Sequence, residues 1–183
     1  MIKKIIILLV LFSAFNVNTN GQVFYTKNGS ISFFSKTILE NIDAQNNQVI
    51  SIINFQNGAI QFSLLNNAFH FPRAKMEEDF KENYIESDKY PRSTFKGVIS
   101  DINSVNVTKD GKYEVNVEGI LMLHGVTQNI RVPGTIIVKN GIVSATSEFS
   151  VKVSDFKISV PSIVSNKIAK SVTITVNCNY QKK

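Results

Sequence analysis

Apolar and polar residues alternate along most of this chain. Val172, Ile174, Val176, Cys178 and Tyr180 are interleaved with Ser171, Thr173, Thr175, Asn177 and Asn179. Val143, Ala145, Ser147, Phe149, Val151 and Val153 alternate with Ser144, Thr146, Glu148, Ser150 and Lys152. A third run puts Tyr113, Val115, Val117, Gly119, Leu121 and Leu123 on one side and Glu114, Asn116 and Glu118 on the other, where Ile120 and Met122 add apolar groups. Successive side chains of a strand point to opposite faces, so this period of two predicts half-buried antiparallel strands.

The turn chemistry fits a meander of hairpins. Asn28-Gly29, Asn57-Gly58, Asp110-Gly111 and Asn140-Gly141 each sit between alternating runs. Asn-Gly and Asp-Gly best tolerate the positive φ of a type I′ turn. Pro133-Gly134 is a further turn or bulge signal, because proline cannot donate to a central ladder. The alternation also slips once: Val151 and Val153 are odd-numbered, Phe156, Ile158 and Val160 even-numbered. A bulge or corner near Ser154-Asp155 would do this. Residues 161–170 read as a loop, and residues 35–47 fit a loop, a helical turn or a short strand.

One segment has another period. Met76, Phe80 and Tyr84 recur every four residues within 73–85, with Glu77, Glu78 and Asp79 near the start. This predicts one short amphipathic helix with its aromatic stripe turned inward and acidic residues where the dipole favours them. About eight strands and one helix, without repeats or linkers, imply an all-β fold, an antiparallel barrel or sandwich. An eight-stranded barrel is the natural closure, since closing removes exposed edges. A barrel of that size can be filled by side chains or can hold one small ligand.

The first residues have a different character. Lys3 and Lys4 precede an apolar run from Ile5 to Phe15, interrupted only by Ser13, and then a polar stretch to Gly21. The run is far too short for a hydrocarbon core of about 30 Å. It reads as a secretory signal peptide over residues 1–21, leaving a single domain over 22–183 and a periplasmic or secreted protein.

Composition sharpens this picture. The chain has 183 residues, 43% hydrophobic, which excludes a disordered chain. Its single cysteine excludes an internal disulfide and a cysteine-rich zinc site. The net charge of +6 falls to +4 without Lys3 and Lys4. Residues 22–88 carry five basic and eight acidic side chains, and residues 89–183 thirteen and six. The later basic residues are spread singly among apolar ones, as on a solvated sheet face, so the charge does not argue for a nucleic-acid partner.

Catalytic chemistry finds little support. His70 and His124 have no second metal ligand at two or four residues' distance. Cys178 falls on the apolar face of the last strand, where a thiol acts as a small buried hydrophobe. There is no Gly-x-Ser-x-Gly, no phosphate-cradling glycine loop and no His-Glu-x-x-His. An enzymatic site would need at least two of His70, His124 and Cys178 within hydrogen-bond reach. The chain instead has an aromatic surplus. Eleven of its thirteen phenylalanines lie after residue 21, and Phe69, Phe71, Met76, Phe80 and Tyr84 cluster within sixteen positions. They predict either a well-filled core or an apolar tunnel roofed by the helix. The candidate lining also includes Phe33, Phe62, Phe149 and Phe156.

Three stretches carry a resemblance. Tyr84 to Phe95, containing Tyr90-Pro91 and Phe95, resembles the Tyr-Pro-x-x-x-Phe segment of YceI-like proteins. Val117 to Thr127, containing Leu121 and His124-Gly125-Val126-Thr127, looks like that family's strand end. Gly29 to Phe33 matches its early Gly-x-Ile-x-Phe start. The resemblance implies an extended, lipocalin-like antiparallel β-barrel of eight strands, exported to the bacterial periplasm. It also implies a long isoprenoid or similar lipid held non-covalently in the barrel, without catalytic machinery. It adds Tyr90, Phe95, Leu121 and His124 to the candidate ligand residues, with His124 either capping the pocket or holding a loop. Pro91 and Gly125 suit turns. The residues leave two readings: a carrier or sequestering protein for an apolar lipid, or a filled barrel acting through its surface in the cell envelope. Peripheral membrane contact and a homodimer remain open as partnerships.

Overall fold

A computed structural model describes residues 22–164 and 166–183; the segment read as a signal peptide, 1–21, lies outside the described residues. Eight antiparallel strands form a closed barrel in sequence order: β1 (Val23–Lys36), β2 (Asn41–Asn54), β3 (Ala59–Leu65), β4 (Arg92–Ile99), β5 (Gly111–Leu123), β6 (Val126–Lys139), β7 (Ile142–Lys152) and β8 (Ser171–Lys182). The last strand closes on the first, with Phe24 opposite Lys182 and Phe34 opposite Thr173. β1, β2 and β6 each have 14 residues. At about 3.3 Å per residue such strands run roughly 45 Å, well beyond the usual five or six residues. The barrel is therefore elongated.

The β1–β2 register shifts where the turn chemistry is most ambiguous. Asn28-Gly29 is no turn: β1 runs straight through it, and its register against β2 shifts between Thr26 and Gly29 and again before Ile31. The same dipeptide chemistry that suits a hairpin also suits a bulge. Gly29 is needed there because a Cβ would sit 2.5 Å from Cys178 Sγ and 3.3 Å from Val49 Cβ. Residues 35–47 resolve into the end of β1, a turn and the start of β2. Asn140-Gly141 is the expected tight turn, with φ of 51° and 76°. Asp110-Gly111 instead ends a long connection after β4, and Asp110 Oδ1 accepts the Asn140 N–H at 2.9 Å.

Pro133-Gly134 also lies within a strand. The β6–β7 ladder stops at Thr135 opposite Thr146, although β5 and β6 stay paired along their whole length. Pro133 sits where β6 leaves β7, and its carbonyl accepts the Ser147 hydroxyl at 2.6 Å. The missing N–H falls on an unladdered edge, where proline costs little. The phase slip after Val153 is a 3₁₀ corner at Val153–Phe156. Its Asp155 carbonyl takes the Gln128 side-chain N–H at 2.8 Å, tying the corner to β6.

β3 and β4 are short, with 7 and 8 residues, so the wall between β2 and β5 ends early. Residues 66–91 cover the gap. They contain α1 (Ala74–Asp79) and a π-helical turn over Phe80–Tyr84, in place of one uniform helix over 73–85. Before the helix, His70 pairs with Gln45 through two backbone hydrogen bonds of 3.0 and 2.9 Å. That strand-like step turns His70 outward and leaves Phe69 and Phe71 facing the barrel interior.

Candidate functional site

The two ends of the barrel differ. At the end formed by the starts of β1, β5 and β7, side chains fill the interior: Phe24, Phe55, Val138, Val143 and Tyr180 all belong to one buried cluster. Phe24 and Phe55 meet edge to face at 5.2 Å. Ile102, in a 3₁₀ turn of the β4–β5 connection, joins this cluster from below. Gly58 permits that approach, since a Cβ at its φ of 76° would lie 2.7 Å from the Ile99 carbonyl oxygen.

Towards the other end the interior opens into a cavity of about 400 Å³. This falls in the range of roughly 300–1,000 Å³ common for small-molecule sites. The wall is almost entirely apolar, and ten of the thirteen candidate residues line it: Phe33, Phe62, Phe69, Phe71, Met76, Phe80, Tyr84, Phe95, Leu121 and Phe149. Phe80 is central to the roof, with ring centroids 5.4 Å from Phe33, 5.5 Å from Phe69 and 5.2 Å from Phe71. The four-residue spacing of Met76, Phe80 and Tyr84 delivers all three to the cavity. Burial pushes the Tyr84 phenol above its ordinary range, with the Asp79 carboxylate adding to this.

Phe95 lines the cavity from β4, and the lining continues below it through Ile99, Ile60 and Val115. Its ring folds over Gly97 on β4 and Gly119 on β5, which face each other across the ladder. A Cβ on either glycine would lie 2.6–2.7 Å from Phe95 Cζ and 2.4 Å from a backbone oxygen of the facing strand. The paired glycines let two strands and a ring occupy space that side chains would otherwise take.

Sequence reasoning missed the aliphatic part of the wall. Ile31, Ile42, Leu64 and Val132 line the cavity from β1, β2, β3 and β6, and following the two-residue period along each strand would have assigned them. Ile158 and Val160 line it just after the 3₁₀ corner, on the shifted alternation, and Val164 and Ile168 line it from the loop beyond, where no periodicity exists to reveal them. Polar groups gather at the mouth, including Glu40, Asp79 and Lys167. Glu40 pairs with Arg73.

Tyr90, His124 and Phe156 do not lie on the cavity wall. They build a clamp outside it. His124, buried at the β5–β6 turn with φ 51°, places Nε2 2.6 Å from Glu86 Oε2 and Nδ1 3.1 Å from the Phe156 carbonyl oxygen. The Tyr90 ring packs edge-on against the His124 ring at 4.6 Å. Gly125, φ 71°, leaves room for Tyr90, whose Cε1 lies 2.4 Å from where a Cβ would stand. Fully buried Asn66 fixes the other side: its side chain donates to the Tyr90 carbonyl at 2.6 Å and accepts the Ser93 hydroxyl at 2.6 Å. Its N–H donates to the Pro91 carbonyl at 2.9 Å. The Tyr-Pro and His-Gly motifs, some thirty residues apart, are thus one packed unit fastening the helical roof to β5 and β6.

The family model for the YceI-like domain matches residues 13–180. The chain belongs to the YceI family. Solved structures share its fold at low sequence identity. A polyisoprenoid binding domain from Saccharophagus degradans, implicated in plant cell wall breakdown, superposes with a TM-score of 0.77 at 13% identity, covering 89% of this chain and 99% of that one. Burkholderia cenocepacia BcnA gives 0.70 at 17% identity, with 84% and 96% covered. A Campylobacter jejuni YceI protein gives 0.58 at 14% identity, with 76% and 85% covered. No curated protein matches the chain.

The three residues on which enzymatic chemistry could rest occupy separate places in this YceI-like barrel. His70 is exposed and 3.6 Å from Glu77, and His124 belongs to the clamp. Cys178 is buried on β8 beside Gly29, and burial pushes its thiol up to about 11. No cluster of three or more His, Cys, Asp or Glu side chains able to hold a metal occurs among the described residues.

Proposed function

We propose that this YceI-like protein is an exported lipid-binding protein that sequesters or carries a long apolar molecule, of polyisoprenoid type, inside its barrel. One observation carries the reading: the upper barrel holds an open, apolar-walled cavity while the lower barrel is packed. Burial supplies the affinity, at about 0.8 kcal/mol for each methylene removed from water. An isoprenoid chain has no charge to neutralise, which suits a wall dominated by phenylalanine and aliphatic side chains with the charged groups Glu40, Asp79 and Lys167 at the mouth. The Saccharophagus degradans relative, described as a polyisoprenoid binding domain, supports the same ligand class. Export to the periplasm rests on the basic, apolar and then polar pattern of residues 1–21. The reading assigns binding and no catalytic step.

Native mass spectrometry of the purified protein, with organic extraction of the same sample, tests it. The expected result is a protein mass raised by a lipid that partitions into the organic phase. A protein that stays at its bare mass, and takes up no added polyprenol, overturns the reading.

A further inference from the structure

The β1–β2 hairpin ends in a feature that packing does not explain. Ile38 has a relative exposure of 103% and its neighbour Leu39 of 61%, and Phe34, two residues below the turn, is 39% exposed on the outer face. Single exposed aliphatics are ordinary; two adjacent ones at the tip of a long hairpin are not. The tip is rigidly held. Thr37 Oγ1 accepts the Glu40 N–H at 3.0 Å and the Leu39 N–H at 3.3 Å, and the Thr37 N–H donates to the Glu40 carbonyl at 3.0 Å. The turn therefore fixes an apolar prong pointing away from the barrel.

The prong stands at the cavity mouth. Ser35, Glu40 and Ile42, on either side of it, line the cavity. The Ala169 N–H donates to Ser35 Oγ at 2.9 Å, which brings the 157–170 loop alongside the hairpin. This lip carries exposed Lys36, Lys152, Lys157, Lys167 and Lys170, and none of them makes an ion pair among the described residues. Its acids are fewer: Glu40, already paired with Arg73, with Asp43 and Asp155. The adjoining lip is α1, tied to the hairpin by the Arg73–Glu40 pair; its Glu77 is paired with Lys81, and its Glu78 and Asp79 with Lys75. The unpaired charge at the mouth is thus mostly basic and lies on the apolar-tipped side.

We infer that the hairpin tip is a docking element for an anionic lipid bilayer. Ile38 and Leu39 enter the boundary between headgroups and acyl chains, and the surrounding lysines meet the lipid phosphates. With the unpaired lysines and the apolar tip on the same side, the hairpin leads and the mouth faces the membrane. The inference goes beyond the cargo reading and does not depend on it: docking uses the outside of the barrel only.

The chain has no tryptophan, so Ile38→Trp gives a single reporter at the tip. The full chain is mixed with vesicles of phosphatidylglycerol and phosphatidylcholine, or of phosphatidylcholine alone. The expected result is a blue shift of emission with the anionic vesicles only, reversed by salt. A matching Ile142→Trp reporter, 61% exposed at the far end of the barrel, stays unshifted. This comparison also separates tip docking from any binding by the apolar segment at residues 5–15. In vesicle sedimentation, Ile38→Asp with Leu39→Asp lowers partitioning by on the order of tenfold or more, and Lys36→Glu with Lys170→Glu lowers it in the same direction. Three results overturn the inference: no shift at position 38, an equal shift at position 142, or a shift that needs no vesicles and follows a concentration-dependent dimer. A protein that carries lipid but ignores vesicles sinks docking alone; one that docks with an empty barrel sinks the cargo reading alone.

Discussion

His124 and Glu86 meet at 2.6 Å, and both hold a positive φ, 51° and 47°. Two residues in a conformation that favours glycine thus join the turn between β5 and β6 to the exit of the helical roof. Such conformations persist only where the surroundings over-determine them. Here the Phe156 carbonyl, the Tyr90 ring and Asn66 do so. His124→Ala removes the centre of the clamp and leaves a buried carbonyl without its partner. The expected loss of stability is about 1–3 kcal/mol in urea unfolding. The bound lipid, if tied only to the cavity wall, stays at wild-type occupancy in extraction, and a lipid-free but well-folded variant would count against the clamp's purely structural role.

The same contact makes stability depend on acid. The hydrogen bond from His124 holds the Glu86 carboxyl below the ordinary carboxylate range. A carboxyl lowered on folding contributes above its unfolded value, and the contribution disappears as pH falls through the folded one. Thermal unfolding followed from pH 7 down to pH 3 should show an acid-limb decline that is shallower in Glu86→Gln. Equal slopes in both proteins would remove Glu86 from that role.

A second titration runs the other way. Tyr180 is buried, its hydroxyl 2.7 Å from Ser51 Oγ, and burial raises its phenol well above the usual range. Cys178, on the same strand, is raised to about 11. Groups raised on folding stabilise fully below their unfolded values, so stability should fall as pH rises through about 9 to 11. At pH 8 the Cys178 thiol should resist a disulfide-exchange reagent in the folded protein and react only on unfolding. Rapid labelling of native protein would contradict its burial.

The paired glycines of β4 and β5 seat the Phe95 ring in the cavity wall. Gly119→Val puts side-chain atoms where Phe95 and the β4 backbone already lie. Overpacking of this kind costs typically about 1–3 kcal/mol. It should also push the Phe95 ring up into the cavity, so lipid occupancy should fall by more than the stability loss explains. Unchanged occupancy would place the ligand away from Phe95.

At the roof, Phe80→Ala removes a ring that meets three others. A half-buried position should lose about 2–4 kcal/mol, near the lower part of the range for phenylalanine truncation. Lipid exchange with vesicles should be faster, read from the release of a fluorescent polyprenol. An unchanged rate would separate Phe80 from the ligand's path.

The strands were legible where one face is dry and the other wet, as with Val172 to Tyr180 and Tyr113 to Leu123. The aromatic stripe at Met76, Phe80 and Tyr84 was legible for the same reason, since side-chain spacing alone brings it to one side. Asn28-Gly29 was not, because local turn chemistry cannot tell a reversal from a bulge; only the partner strand decides. Tyr90, His124 and Phe156 read as lining because they are large, partly apolar and close to motifs. Their real surroundings depend on contacts such as His124 with Phe156, thirty-two positions apart, that no period records. Loop residues such as Ile168 reach the cavity through tertiary placement, which has no sequence signature.

The seam between β1 and β8 constrains how the molecule comes into being. β1 occupies residues 23–36 and its closing partner residues 171–182, so a chain made from its N-terminus exposes the free edge of β1 throughout its synthesis. Each hairpin of the meander can pair as it appears, but the cylinder cannot shut until the final strand arrives. The half-built sheet has open edges and an uncovered apolar face, the form most easily held by a chaperone and most prone to wrong pairing. Late closure keeps the chain threadable until its last strand is available, and makes the twelve residues of β8 the step that commits it to its final shape.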